Sequence, residues 1–194
     1  MDEAEQQEEV VLPINWHFPE GKRSQYANSV VVQVGLYEVA LSFFEIQRVD
    51  LLDPPVRNNE KPFGSMHAKC VSKIIVRPEL VPIMIDILET RPENRLQLEG
   101  ERVSFDWHSW EGTQSHYANH MIVQSGAYEV VISFFETQLP LLFGSPEESK
   151  RQIKKLGLIH AECVSRISIP PEIVLILVNA LKNGLESYRQ SREH

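Results

Sequence analysis

The 194-residue sequence predicts an α+β protein of two β-β-β-β-α units, antiparallel sheets each covered by a helix, packed as a pseudo-two-fold intramolecular dimer. Three observations carry this expectation. The chain repeats itself, each copy carries apolar residues at period two over several short runs, and each copy ends in a proline-led apolar stretch at helical period. Trp16 to Gln47 aligns with Trp107 to Gln138 without a gap at an offset of 91, with 19 of 32 positions identical. His67 to Leu88 aligns with His160 to Leu181 at an offset of 93, with 11 of 22 identical. The two-residue difference falls in residues 48–66 and 139–159, which are therefore loops. Repeat one spans residues 10–91 and repeat two residues 102–190, joined by a polar linker at 92–101.

The elements follow in order. Residues 1–9, MDEAEQQEE, are acidic and polar and read as a disordered tail without the basic start and apolar stretch of a secretory signal. Leu12, Ile14 and Trp16 alternate as a half-buried strand, as do Val103, Phe105 and Trp107 in repeat two. Val30, Val32 and Val34 form the second strand, and Tyr37, Val39, Leu41 and Phe43 the third. A two-residue loop with glycine first, Gly35-Leu36 or Gly126-Ala127, suits a tight hairpin between them. The fourth strand runs through Ala68, Cys70, Ser72, Ile74 and Val76, and through Ala161, Cys163, Ser165, Ile167 and Ile169. Pro78 and Pro171 open the helices, since the first helical turn has no amide bond to lose there. The second helix, about Pro171 to Tyr188, is apolar around most of its surface and calls for burial against more than one sheet face. The first is shorter, with Pro82 tolerable only near its start.

The hairpin decides which residues share a face. With Val34 opposite Tyr37, the residues Val30, Val32, Val34, Tyr37, Val39, Leu41 and Phe43 line the helix-covered core. The reverse face is half apolar where an open antiparallel sheet face should be polar. Its apolar members Val31, Ala40, Phe44, Ile122, Val131 and Phe135 are the candidate partner-binding residues. The competing reading is that loops or the other copy cover this face.

Charge and chemistry narrow the function classes. With 27 acidic and 19 basic side chains the net charge is −8, which disfavours nucleic acid. No apolar run is long enough to span a membrane. Two cysteines, Cys70 and Cys163, exclude a disulfide scaffold and read as buried thiols in a cytoplasmic protein. His67/Cys70 and His160/Cys163 repeat a His-Ala-x-Cys pattern, but residues three apart on a strand face opposite ways and cannot share a metal ion. His116 and His120 could share a strand face, although repeat one has Gln25 and Ser29 there. Lys69, Lys73 and Arg77 form a basic row that repeat two replaces with Glu162, Arg166 and Pro170. In Tyr26-Ala27-Asn28 and Tyr117-Ala118-Asn119 the Asn would bond to backbone or accept positive φ at a bend. Phosphate loops, dinucleotide fingerprints, nucleophile elbows and zinc-protease helices are missing from the sequence. The expectation is no catalytic residue, no metal and no cofactor.

Tyr-Ala-Asn, Tyr-Glu-Val-x-x-Ser-Phe and Cys-Val-Ser-x-Ile followed by Pro-Glu before a helix resemble a family of short bacterial proteins, a domain of unknown function. Its members look like one copy of this unit, so the resemblance covers Tyr26 to Glu89 and Tyr117 to Tyr188. The β-β-β-β-α order is similar to the topology of the SecB export chaperone, with no shared motif. The topology implies a non-enzymatic, chaperone-like or scaffold-like module that binds a protein or peptide, as a homo-oligomer or part of a larger complex. The alternative is a structural subunit of a phage-related or defence-associated assembly. Neither reading involves nucleic acid or a membrane.

Overall fold

The computed structural model describes residues 13–47, 67–90, 113–137 and 158–192, with residues 148, 151, 152 and 155. The acidic tail, the linker and the first strand of repeat two lie outside the described residues. Repeat one contributes β1 (Ile14–His17), β2 (Gln25–Tyr26), β3 (Ser29–Val34), β4 (Val39–Gln47), β5 (His67–Val76) and α1 (Leu80–Glu89). Repeat two contributes β6 (Ser115–Tyr117), β7 (His120–Ser125), β8 (Val130–Thr137), β9 (Ile159–Ile169) and α2 (Pro171–Arg192). The α+β class stands: two sheets, with helices packed on them.

The sheets do not follow the repeat boundary. β3, β4 and β5 form an antiparallel meander, and β6 of repeat two adds to β5 in parallel. β7, β8 and β9 form the equivalent meander, and β1 and β2 of repeat one both pair in parallel with β9. Each repeat therefore sends an N-terminal strand into the other repeat's sheet, so the sheets are mixed rather than antiparallel. Local alternation reports that a segment is a strand and is silent on which edge it takes.

The crossing is made at Tyr-Ala-Asn. The Ala27 amide donates to Ser168 O at 2.9 Å in β9, and the very next amide, Asn28, donates to Phe44 O at 2.9 Å in β4. Repeat two does the same: Ala118 donates to Ile75 O at 2.9 Å, and Asn119 to Phe135 O at 3.0 Å. Consecutive amides thus serve different sheets. Both alanines are fully buried, which leaves no room for a larger side chain at the fork. The Asn side chain acts as a further peptide group. Asn28 Nδ2 donates to Ile46 O at 3.0 Å while its Oδ1 accepts from Ile46 N at 2.7 Å. Asn119 does the same to Thr137 at 2.9 Å in both directions. The backbone-bonding role foreseen for Asn is the one found.

The hairpin turn differs from the predicted one. Val34 pairs with Val39 and Ser125 with Val130. Gly35 N donates to Glu38 O at 2.8 Å, and Gly126 N to Glu129 O at 2.7 Å, so the tips are Leu36-Tyr37 and Ala127-Tyr128. A shift of two residues leaves every strand side chain on its predicted face, because the side-chain period is two. Val39, Leu41 and Phe43 are core as expected, whereas Tyr37 projects from the tip.

A bulge divides the fourth strand of each copy between two faces. Phe43 pairs with Ser72 but Phe44 with Cys70, and Phe134 pairs with Ser165 but Phe135 with Cys163. The extra residue, Val71 or Val164, reverses the alternation. Ile74 and Val76 therefore join the main core, while Ala68 and Cys70 pack with Phe44 on the other side.

One main core draws on both repeats. α2 lies on β3 and α1 on β7, so the helices are exchanged as the strands are, and the two helices also touch each other. Gly184 marks the closest approach: a Cβ there would stand 2.5 Å from Val34 Cγ2. Val34 is β-branched and stiff at χ1, so it cannot swing aside. Gly184→Leu is therefore expected to cost at least about 1–3 kcal/mol by overpacking. Val34→Ala in the same chain should recover part of that loss. Urea denaturation of both single variants and the double variant reads the coupling.

Candidate functional site

The reverse sheet face is not an open surface. Phe44 and Phe135 are fully buried, and Ala40 and Val131 are buried as well, while Val31 and Ile122 are half-buried. Phe44 sits with Ala68 and Cys70, flanked by Val31 and Ile46. Phe135 sits with Ala161 and Cys163, flanked by Ile14, Trp16 and Ile122. The Trp16 ring packs edge-on against Phe135 at 4.7 Å between centroids, and Phe18 does so at 5.2 Å. Repeat one thus plugs the reverse face of repeat two with its own crossing strand. Of the residues assigned to partner binding, Phe44, Phe135, Ala40 and Val131 are therefore buried within the chain, and only Val31 and Ile122 keep partial exposure.

The repeated cysteines belong to the same buried clusters. Burial pushes both thiols above their ordinary value, against smaller lowering effects that include Lys73 at Cys70 and Lys22 and Arg166 at Cys163. Their Sγ atoms face the backbone carbonyls of Ser72 and Ser165. Among the described residues no cluster of three His, Cys, Asp or Glu side chains is placed to hold a metal. The side chain of His67 lies outside the described residues, and His160 is exposed. His116 and His120 do not act together. His116 is on β6 in one sheet, and His120 is on β7 in the other, where its ring meets Trp16 at 5.8 Å.

What the structure does bring together is a cleft of about 600 Å³ at the junction of the repeats. Cys70–Ser72 of β5 and Val164–Arg166 of β9, around the two bulges, line it. Ser72 Oγ and Ser165 Oγ are 2.9 Å apart there. β1 pairs with β9 at Ile159–Glu162 and β2 pairs with it at Ile167–Ser168, which leaves Cys163 to Arg166 between them. Side chains serve the carbonyls of this gap: Lys22 Nζ donates to Val164 O at 2.5 Å, and Thr113 Oγ1 to Cys70 O at 3.4 Å. Lys22 is delivered by a turn in which its amide donates to Pro19 O at 3.1 Å and Gly21 takes φ +78°. Glycine is favoured at that position because L side chains rarely adopt a backbone with φ +78°, even though a Cβ there would meet open space.

Most of the cleft lining is neutral, and its formally charged side chains are all cations. Lys22, Arg23, Arg166 and His116 line it, and no carboxylate does among the described residues. Arg166 lies 5.7 Å over the Phe18 ring and donates from Nη2 to Gln124 Oε1 at 3.4 Å; its Nε is buried without a hydrogen-bond partner. Burial and the nearby Lys22 charge hold His116 below its ordinary value, and burial alone does so for His120. Sequence reading missed this site because four separate segments build it. The available signal was a break in the repeat, Lys22-Arg23 standing where repeat two has Thr113-Gln114.

Exposed apolar side chains are the other repeated feature. Tyr37 and Tyr128 at the hairpin tips are 85% and 91% exposed, and Ile83 and Ile176 on the helices 54% and 42%. Among the described residues no helix is long and apolar enough to cross a membrane. Comparison with protein-family models, curated proteins and solved structures finds no match.

Two outcomes follow from this chemistry. Both thiols should react slowly with a disulfide reagent in the native protein and promptly in denaturant, as absorbance of the released thiolate would record. The lowered histidines bind protons more weakly folded than unfolded. Stability is therefore full above the unfolded value of 6.5 and is lost as pH falls below it. The melting temperature should drop from pH 7.5 to pH 5.5, and His116→Gln, the residue type repeat one has at this position, should reduce that drop.

Proposed function

We propose that the chain is a non-enzymatic protein-binding module, an intramolecular dimer about a pseudo-two-fold axis that holds a partner polypeptide in a chaperone-like or scaffold-like manner. A two-fold axis brings equivalent residues face to face. Three such pairs support this architecture: Phe43 with Phe134 at 5.9 Å between ring centroids, Ser72 with Ser165 at 2.9 Å, and Glu89 with Lys182 at 2.5 Å.

The binding role rests on one observation, the exposure of the same large apolar side chains at the same positions of both copies. Tight hairpin tips ordinarily use Gly, Asn or Asp, yet Tyr37 and Tyr128 stand there almost free of contacts. Ile83 and Ile176 turn outward from helices whose other apolar residues are mostly buried. The chain covers Phe44 and Phe135 completely while leaving these four uncovered. They present apolar area to a partner without opening the core.

Light scattering of an aggregating client, with the chain in several-fold excess, tests this reading. The unaltered chain should suppress aggregation. The double variant Tyr37→Ser, Tyr128→Ser should lose most of the effect at an unchanged melting temperature, because exposed tips contribute within about 0.5 kcal/mol to stability. No suppression, together with no binding of an apolar peptide, would sink the chaperone version. A single high-mass assembly in solution would favour a structural subunit instead.

A further inference from the structure

We infer that the cleft between the repeats is a binding site for a small multivalent oxyanion, a molecule bearing phosphate or several carboxylates, gripped by Lys22, Arg23 and Arg166. The first ground is charge. The whole chain carries −8, yet the charged side chains lining this cleft, Lys22, Arg23 and Arg166, are all cations, with no carboxylate among the described lining residues. A concave wall of one sign focuses the field and raises the local concentration of the opposite ion. The second ground is size. About 600 Å³ falls in the range of small-molecule sites, while the overall negative charge opposes an extended polyanion.

The third ground is preorganisation. Lys22 is set by the Gly21 turn and tethered to Val164 O. Arg166 lies over the Phe18 ring, with Gln124 at one end and a buried Nε that has no hydrogen-bond partner among the described residues. Fixed cationic donors of this kind suit phosphate and carboxylate oxygens, and arginine offers paired N–H groups to both.

The fourth ground is asymmetry. Equivalent residues from both copies line the cleft: Gln25 with His116, and Ser72 with Ser165. Yet Lys22-Arg23 on one wall faces neutral Thr113-Gln114 at the same position of the other copy. A site shared by two identical subunits would be forced to match on both walls. Here one wall supplies charge and the other supplies a hydroxyl and an amide, which is what a ligand with an anionic end and a neutral polar end needs.

Inorganic pyrophosphate and citrate, titrated calorimetrically into the full chain, test the proposal. At least one should bind saturably with one-to-one stoichiometry and weaken as salt rises. Tighter pyrophosphate assigns the site to phosphate compounds, and tighter citrate to polycarboxylates. Lys22→Gln and Arg23→Gln, both at exposed positions, should each weaken binding about tenfold while the melting temperature stays put. Arg77→Gln, an exposed cation outside the cleft, should leave it unchanged. The imidazole of His116 should titrate at higher pH with the anion bound, since a negative charge beside it favours the protonated form. No saturable binding of either probe at millimolar concentration overturns the proposal. So does binding that Arg77→Gln weakens as much as Lys22→Gln does, the mark of diffuse attraction. The exposed tyrosines are separate from the cleft, so anion binding and client binding stand or fall independently.

Discussion

Two consecutive backbone amides that bond to different sheets hold this molecule together. At Ala27-Asn28 and again at Ala118-Asn119 the chain leaves one sheet and enters the other within a single peptide. A buried N–H without a partner costs free energy comparable to a lost hydrogen bond, so the fork is stable only when both sheets are in place. Alanine keeps the fork narrow, and asparagine closes it by supplying a side-chain amide where the ladder runs out. Crossing strands, exchanged helices, the plug over Phe135 and the walls of the cleft all follow from the chain being divided at those points.

Interpenetration changes what the duplication can do. Residues that would face their own copies in a symmetric dimer here face partners free to differ. Glu89 meets Lys182, whereas two identical subunits would set like charges opposite each other. Both side chains are about half exposed, so the pair adds only modestly to stability, within about 1 kcal/mol. The same freedom shows in the cleft, where Lys22-Arg23 and Thr113-Gln114 have diverged.

Much of this was legible in the sequence, and the failures have physical causes. The repeat, the strands and helices, and the face of nearly every strand residue follow from period and offset. The turn lies one residue further on than expected and the pairing shifts by two, which moves no strand side chain to the wrong face because the pleat repeats at that interval. Edge choice was not legible. Residues 67–76 and 160–169 are so alike that Ile14 and Trp16 read equally well against either, and three-dimensional reach decides. That same ambiguity made Phe44 and Phe135 look available, since the side chains over Phe135 come from the strand whose destination was unknown. The cleft was hidden for a related reason: its cations are unremarkable singly and meaningful only once β5 and β9 are brought side by side.

The pairing of Ile14 with Ile159 also bears on how the chain is made. Strand β1 is synthesised well before β9, its only partner among the described strands. Until β9 emerges, β1 has no strand to hold Trp16 over Phe135, and until β6 emerges the edge of β5 is open. Repeat one can collapse around its meander during synthesis but cannot close. Long-range parallel pairing forms slowly, because loop closure must precede the contacts that compensate for it. Between the synthesis of β1 and that of β9 the nascent chain therefore carries an unsatisfied strand and uncovered aromatic rings, the condition in which chains aggregate.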